Sequence, residues 1–200
     1  MGRRMLDAAI QFLRDEVNTH LRMSGGWTPV ETDPEQVVFP SSERVDVPDF
    51  RLDHVTMLVV NQEEERSLRP ADPYRRTSPD GATEAVAPPV FLNALVLFVA
   101  RYKAYPDALR AISRILHFFQ GHRAFDRAGS PALDPGIEKL LLELVTLPLG
   151  DQNNLWSVLR AAYHPSLLYR VRMIVFEDET GAPLPATVDP KVSVLPISPR

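Results

Sequence analysis

The sequence predicts a single α/β, or α+β, domain in which helices pack on one mixed or antiparallel sheet. Three observations predict it. Segments with apolar residues spaced three and four apart alternate with β-branched segments, in the order α, β, β, α, β, α, β. Two of the β segments, around 54–61 and 89–100, are apolar on both faces, as strands interior to a covered sheet are. Most of the 19 prolines gather at 28–48, 70–89 and 183–199, which marks those stretches as loops or extended arms.

Residues 5–23 place Leu6, Ala9, Ile10, Leu13, Val17 and Leu21 on one side and Asp7, Arg14, Glu16 and Arg22 on the other, an amphipathic helix ended by Ser24-Gly25-Gly26. The Pro- and Asp-rich stretch that follows leaves room only for short extended pieces such as Val37 to Phe39. HVTMLVVN at 54–61 is a strand. It runs into Glu63-Glu64-Glu65-Arg66, which is either a solvated turn or a charged contact surface. Residues 70–89 have no periodicity and are expected to form a long exposed loop. A second strand, 89–100, carries Asn93 as its only polar interior candidate and should be central. Tyr105-Pro106-Asp107 starts a helix with Pro106 at its first helical position, Leu109, Ile112, Leu116 and Phe119 on one face, and Gly121 as its stop.

Residues 137–147 are open to two readings. Ile137, Leu140, Leu141 and Leu144 have helical spacing, whereas Leu140, Leu142 and Leu144 alternate as in a strand, and the short span between Gly136 and Pro148 tilts the choice to strand. A helix follows, with Leu155, Val158, Leu159 and Ala162 on one face and His164-Pro165 closing it. From Ser166 to Glu177, Tyr169, Val171, Met173 and Val175 alternate with Arg170, Arg172, Ile174 and Phe176, giving a strand with a partly basic face. Beyond 178 the chain is a Pro-rich extension, with 192–197 (VSVLPI) as a possible edge strand.

Composition excludes several functions. The chain has 200 residues and no cysteine, so it can form no disulfide, thiolate nucleophile or Cys-based zinc site. A net charge of −4 argues against a general grip on nucleic-acid phosphates. No apolar run approaches a membrane span, and Asp7, Arg14 and Asp15 interrupt any secretory core, so a cytoplasmic protein is expected. There is no phosphate-binding Gly-rich loop, nucleophile elbow or HExxH motif, so neither catalytic residues nor cofactors are assigned. The one enzymatic alternative, a small hydrolase or metal-dependent enzyme, would use His117, His122 and Asp126, but a five-residue separation across a helix stop does not align two imidazoles. Trp156 reads first as a core or interface anchor and only second as a ligand platform.

Several unusual blocks occur together in order: VVNQEEERSLR at 59–69, PPVFLNALVLFVARY at 88–102, ILHFFQGHRAF at 115–125, and LDPGIEKLLLELVTLPLGDQNNLWSVLRAAYHPSLLYRVRMIVFE at 133–177. With the N-terminal helix, they resemble the cap, or tail-terminator, family of contractile, phage-tail-like injection systems over most of residues 5–177. The resemblance also favours a strand at 137–147. It implies a structural, non-enzymatic protein that forms a ring, of six copies, on the distal end of the inner tube and sheath of a particle that can leave the cell. The partners it implies are copies of itself and the sheath and tube proteins, not nucleic acid or membrane. Candidate contacts are Arg170 and Arg172, the block Glu63, Glu64, Glu65 and Arg66, Trp156, and the tail at 192–197.

Overall fold

A computed structural model describes residues 5–23, 35–41, 48–65, 75–77, 83–85, 91–175 and 182–183. Their elements are α1 (Met5–Met23), β1 (Val37–Val38), β2 (His54–Glu64), β3 (Arg75–Thr77), β4 (Thr83–Ala85), β5 (Leu92–Arg101), α2 (Tyr105–Gly121), β6 (Ala124–Asp126), β7 (Ile137–Val145), α3 (Leu149–Val158), β8 (Ser166–Val175) and β9 (Ala182–Pro183). The chain divides into two compact units, one comprising Met1–Leu68 with Val90–Phe176 and the other Arg69–Pro89 with Glu177–Arg200.

The larger unit is a mixed α/β domain, as the sequence predicts. Its six strands run in the order β1-β2-β5-β8-β7-β6, all neighbours antiparallel except β1, which lies parallel to β2. β5 is central, as its two apolar faces require. One sheet face packs on α1 and α2. There Val55, Met57, Val96, Phe98, Leu140, Val171 and Met173 meet Leu13, Val17, Ile115 and Phe119 in the main core. The other face carries a smaller core, Phe50, Leu97, Val99, Trp156 and Leu168, beneath α3. In the smaller unit, β3, β4 and β9 form a three-stranded antiparallel sheet.

Residues 137–145 form a strand, and its register explains the double pattern in the sequence. The pairing with β8 shifts between Ile137 and Lys139. An extra residue at such a bulge returns Ile137 and Leu140, an odd number of positions apart, to the same face. Both are fully buried, and Leu142 joins them. The bulge thus produces three-residue spacing inside a strand.

Other expectations need correction. The buried side of α2 is Ala108, Ala111, Ile115, Phe118 and Phe119, whereas Leu109 is exposed. Small alanines let α2 approach the sheet closely, so the buried stripe is rotated by about one residue, roughly 100°, from the one the larger side chains predict. In α3 it is Trp156, not Val158, that enters the core, and the helix ends at Val158, before His164-Pro165. Its end is fixed by hydrogen bonds from Arg160 N–H to the Ser157 carbonyl (3.1 Å) and from Ala161 N–H to the Trp156 carbonyl (3.3 Å), with Arg160 in the left-handed region at φ 51°. This is a Schellman end with arginine where glycine is usual. The segment 70–89 is not only loop, since β3 and β4 pair within it. Residues 124–126, just past the helix stop at Gly121, pair with β7. Glu63 and Glu64 end strand β2 instead of forming a turn. Arg66 and the 192–197 stretch lie outside the described residues.

Candidate assembly surface

The second face of the sheet brings together most of the residues singled out in the sequence. β7 and β8 form a hairpin whose connection contains α3, and Val145 pairs with Leu168 at the end nearest that connection. α3 folds back over this end. Trp156, 5% exposed, fixes it there, with Phe50 edge-on at 6.0 Å and Leu168 and Leu97 in the same cluster. Arg101 Nη1 donates to the Phe50 carbonyl at 2.6 Å and holds that ring in place. Trp156 is therefore mainly a core anchor, with its edge reaching a groove on the outer side of α3.

Farther along β8, the same alternation that buries Leu168 puts Arg170 and Arg172 on this face, half-buried. Both guanidinium groups approach the same oxygen, Oε2 of Glu143, at 3.8 and 3.4 Å, and Glu143 lies opposite Arg170 in register. One carboxylate faces two cations. The next two strands continue the polar row, because Arg172 pairs with Asn93 and Asn93 with Glu63. Asn93, 7% exposed, donates from Nδ2 to Glu65 Oε2 at 3.0 Å. Its Oδ1 and the Nε of Arg172 are buried and have no hydrogen-bond partner among the described residues. The candidates Arg170, Arg172, Glu63 and Glu65 thus share one band, basic on β8 and acidic at the end of β2, about 10 Å apart across two strand spacings. Glu64 is exposed and, one position on in the strand, points to the other side.

Sequence reasoning missed Glu143, Phe50 and Asn18. No local pattern marks the first two. Asn18 sits in the buried face of α1, where its Oδ1 accepts from Gln36 N–H at 3.0 Å and Val37 N–H at 2.9 Å while its Nδ2 donates to the Val37 carbonyl at 2.9 Å. A polar residue in an otherwise apolar helical stripe was the available signal.

Two of the residues of the enzymatic alternative are used locally. His122 Nδ1 contacts the Phe118 carbonyl at 3.0 Å and its ring stacks on Phe118, while Asp126 Oδ1 accepts from Gly129 N–H at 2.8 Å. Among the described residues no group of His, Asp and Glu is arranged to hold a metal ion. Nor is any described helix long and apolar enough to cross a membrane.

No curated protein matches the chain. Among solved structures, the sheath/tube terminator of an extracellular contractile injection system, the PVC particle in its extended state, shares the fold with a TM-score of 0.56 at 15% identity, covering 99% of this chain and 67% of that one. The tube-terminating cap of the anti-feeding prophage gives a TM-score of 0.46 at 19% identity, covering 72% of this chain and 48% of that one. The Pvc16 N-terminal domain family matches residues 8–188, nearly the whole length, and the chain belongs to that family.

Proposed function

We propose that this protein is the cap of a contractile injection particle, a structural protein that ends the growth of its tube and sheath. The observation that carries this reading is the family match over residues 8–188, supported by the fold shared with a sheath/tube terminator. A sheath or tube grows through head-to-tail contacts that do not close, so its last layer always presents an unused surface. A terminator matches that surface on one side and offers no copy of it on the other.

The cap acts as a ring, of six copies, bound to the sheath and tube proteins, made in the cytoplasm and carried on the finished particle, and it has no enzymatic activity of its own. The band holding Arg170, Arg172 and Glu143 is its contact with sheath or tube. Two guanidinium groups beside one carboxylate leave a local excess of positive charge, which an acidic side chain of a partner would neutralise. Electron microscopy of particles assembled with and without the protein tests the role. Overlong, irregular or missing tubes and sheaths are expected in its absence. Unchanged lengths with an intact distal end would overturn it.

A further inference from the structure

We infer that Glu143 is an internal counter-ion standing where a partner's carboxylate binds: the band takes one carboxylate, from an acidic side chain of the sheath or tube, between Arg170 and Arg172, and Glu143 holds the affinity for it down. The inference deepens the cap reading and rests on it. Its ground is how loosely Glu143 is engaged. A guanidinium and a carboxylate that pair fully close to about 2.7–2.9 Å, often through two parallel bonds. This chain forms such contacts elsewhere, at 2.7 Å between Arg14 and Asp15 and at 2.6 Å between Arg110 and Asp107. Around Glu143 a single oxygen, Oε2, is shared by Arg170 and Arg172 at 3.8 and 3.4 Å, too far for a closed pair with either.

The sharing follows from register. Arg170 lies directly opposite Glu143, whereas Arg172 lies opposite Leu141 on β7 and Asn93 on β5, neither of which carries a charge. Each guanidinium has five N–H donors, and among the described residues the buried Nε of Arg172 has no partner. Two cations against one anion leave one positive charge, which a single further carboxylate balances. Glu143 is the most exposed of the three side chains, at 47% against 34% and 35%, and is free to turn toward solvent when that carboxylate arrives. A fixed negative charge beside the site repels the incoming one. Two unit charges about 4 Å apart in water change an equilibrium about fivefold, and salt screens the effect. The opposing effect, orientation of the arginines by Glu143, is the weaker one, because contacts of 3.4 and 3.8 Å leave both groups free to reorient. Affinity held low in each contact keeps a single copy from capturing a single partner subunit, whereas the copies of a ring engage a finished end together and their contacts multiply. Glu143 thus favours the completed end over free subunits.

The test is the concentration of this protein at which half of the sheath and tube ends are capped, read by electron microscopy. It is measured for the wild type, Glu143→Gln, the double variant Arg170→Gln, Arg172→Gln, and the triple variant that combines them. Glutamine keeps the size of glutamate and removes its charge, and circular dichroism checks that each variant is folded. At low salt Glu143→Gln is expected to lower the half-capping concentration at least about fivefold, the effect of one unit charge. The gain should fade at about 0.5 M salt, where the charge is screened. The double variant should raise the half-capping concentration, and the triple variant should behave as the double does, because the charge of Glu143 matters only while the arginines are present. A Glu143→Gln protein that caps more weakly than the wild type, or equally well, would overturn the inference, as would a gain that persists in the triple variant. A double variant that caps as the wild type does removes the band from the contact and the inference with it. Failure of the cap role appears separately, as a wild-type protein that caps no ends at any concentration and particle lengths that do not change in its absence.

Discussion

Asn18 ties the edge of the sheet to α1: one side chain satisfies two backbone N–H groups and a carbonyl of the 36–37 segment. Asn18→Ala leaves these buried groups without partners, at about 1–3 kcal/mol for each unsatisfied group. A urea titration is expected to show a loss of at least that size, with β1 the first strand to exchange its amides. Arg160 makes the opposite case. Its left-handed backbone costs a non-glycine residue about 1 kcal/mol, so Arg160→Gly should stabilise the fold by roughly that amount while removing the only charge among the described residues that line the α3 groove. Residue-scale detail was the least legible in the sequence. Glycine is the usual cue for a left-handed helix end, and here the cue is missing. Glu143 becomes visible only when the register sets it opposite Arg170.

At the scale of elements, the pattern was legible where one apolar period dominated. α1 buries the stripe read from its spacing, and β5 takes the centre that its two apolar faces predict. It failed where large apolar side chains stand outside the core, at Leu109 on α2 and at Val158 on α3. Periodicity reports that a side chain is apolar and not what covers it. α3 depends on one anchor. Trp156→Ala removes the largest side chain of the smaller core and is expected to cost about 3–5 kcal/mol, with near-ultraviolet dichroism showing a loosened α3 while the main core stays folded. The same cluster makes stability depend on pH. Burial holds the His164 imidazole below its ordinary value of 6.5, and Arg101 pushes it the same way. Its ring packs edge-on against Phe50 and Trp156. Burial lowers His20 likewise, with His122 and His117 adding to it. A histidine whose folded pKa is lowered binds its proton more readily when unfolded, so its contribution is complete above 6.5 and is lost as pH falls toward the folded value. Unfolding free energy should therefore fall as pH drops below about 6.5, above the carboxylate range, and His164→Gln should flatten part of that slope.

For the whole molecule, the cap role requires that one surface be dispensable for folding yet indispensable for assembly. The arginine band meets the first half of that condition, and its part in assembly is what a variant tests. Arg170 and Arg172 approach Glu143 at 3.8 and 3.4 Å with all three side chains partly exposed, and ion pairs of this kind contribute about 0–1 kcal/mol. The double variant Arg170→Gln, Arg172→Gln is therefore expected to unfold within about 1 kcal/mol of the wild type. Its particles should nevertheless show overlong or open-ended sheaths. Asn18→Ala is the matched control: it lies under the opposite face, costs more stability, and should still cap particles at temperatures where it remains folded. If the double variant caps normally, the band is a solvated face and the contact lies elsewhere. If Asn18→Ala fails as badly while folded, the defect tracks stability and not charge. Only reduced capping at preserved stability assigns the contact to the arginines, and restoring function by a compensating basic residue on the sheath or tube would identify the partner side chain that they meet.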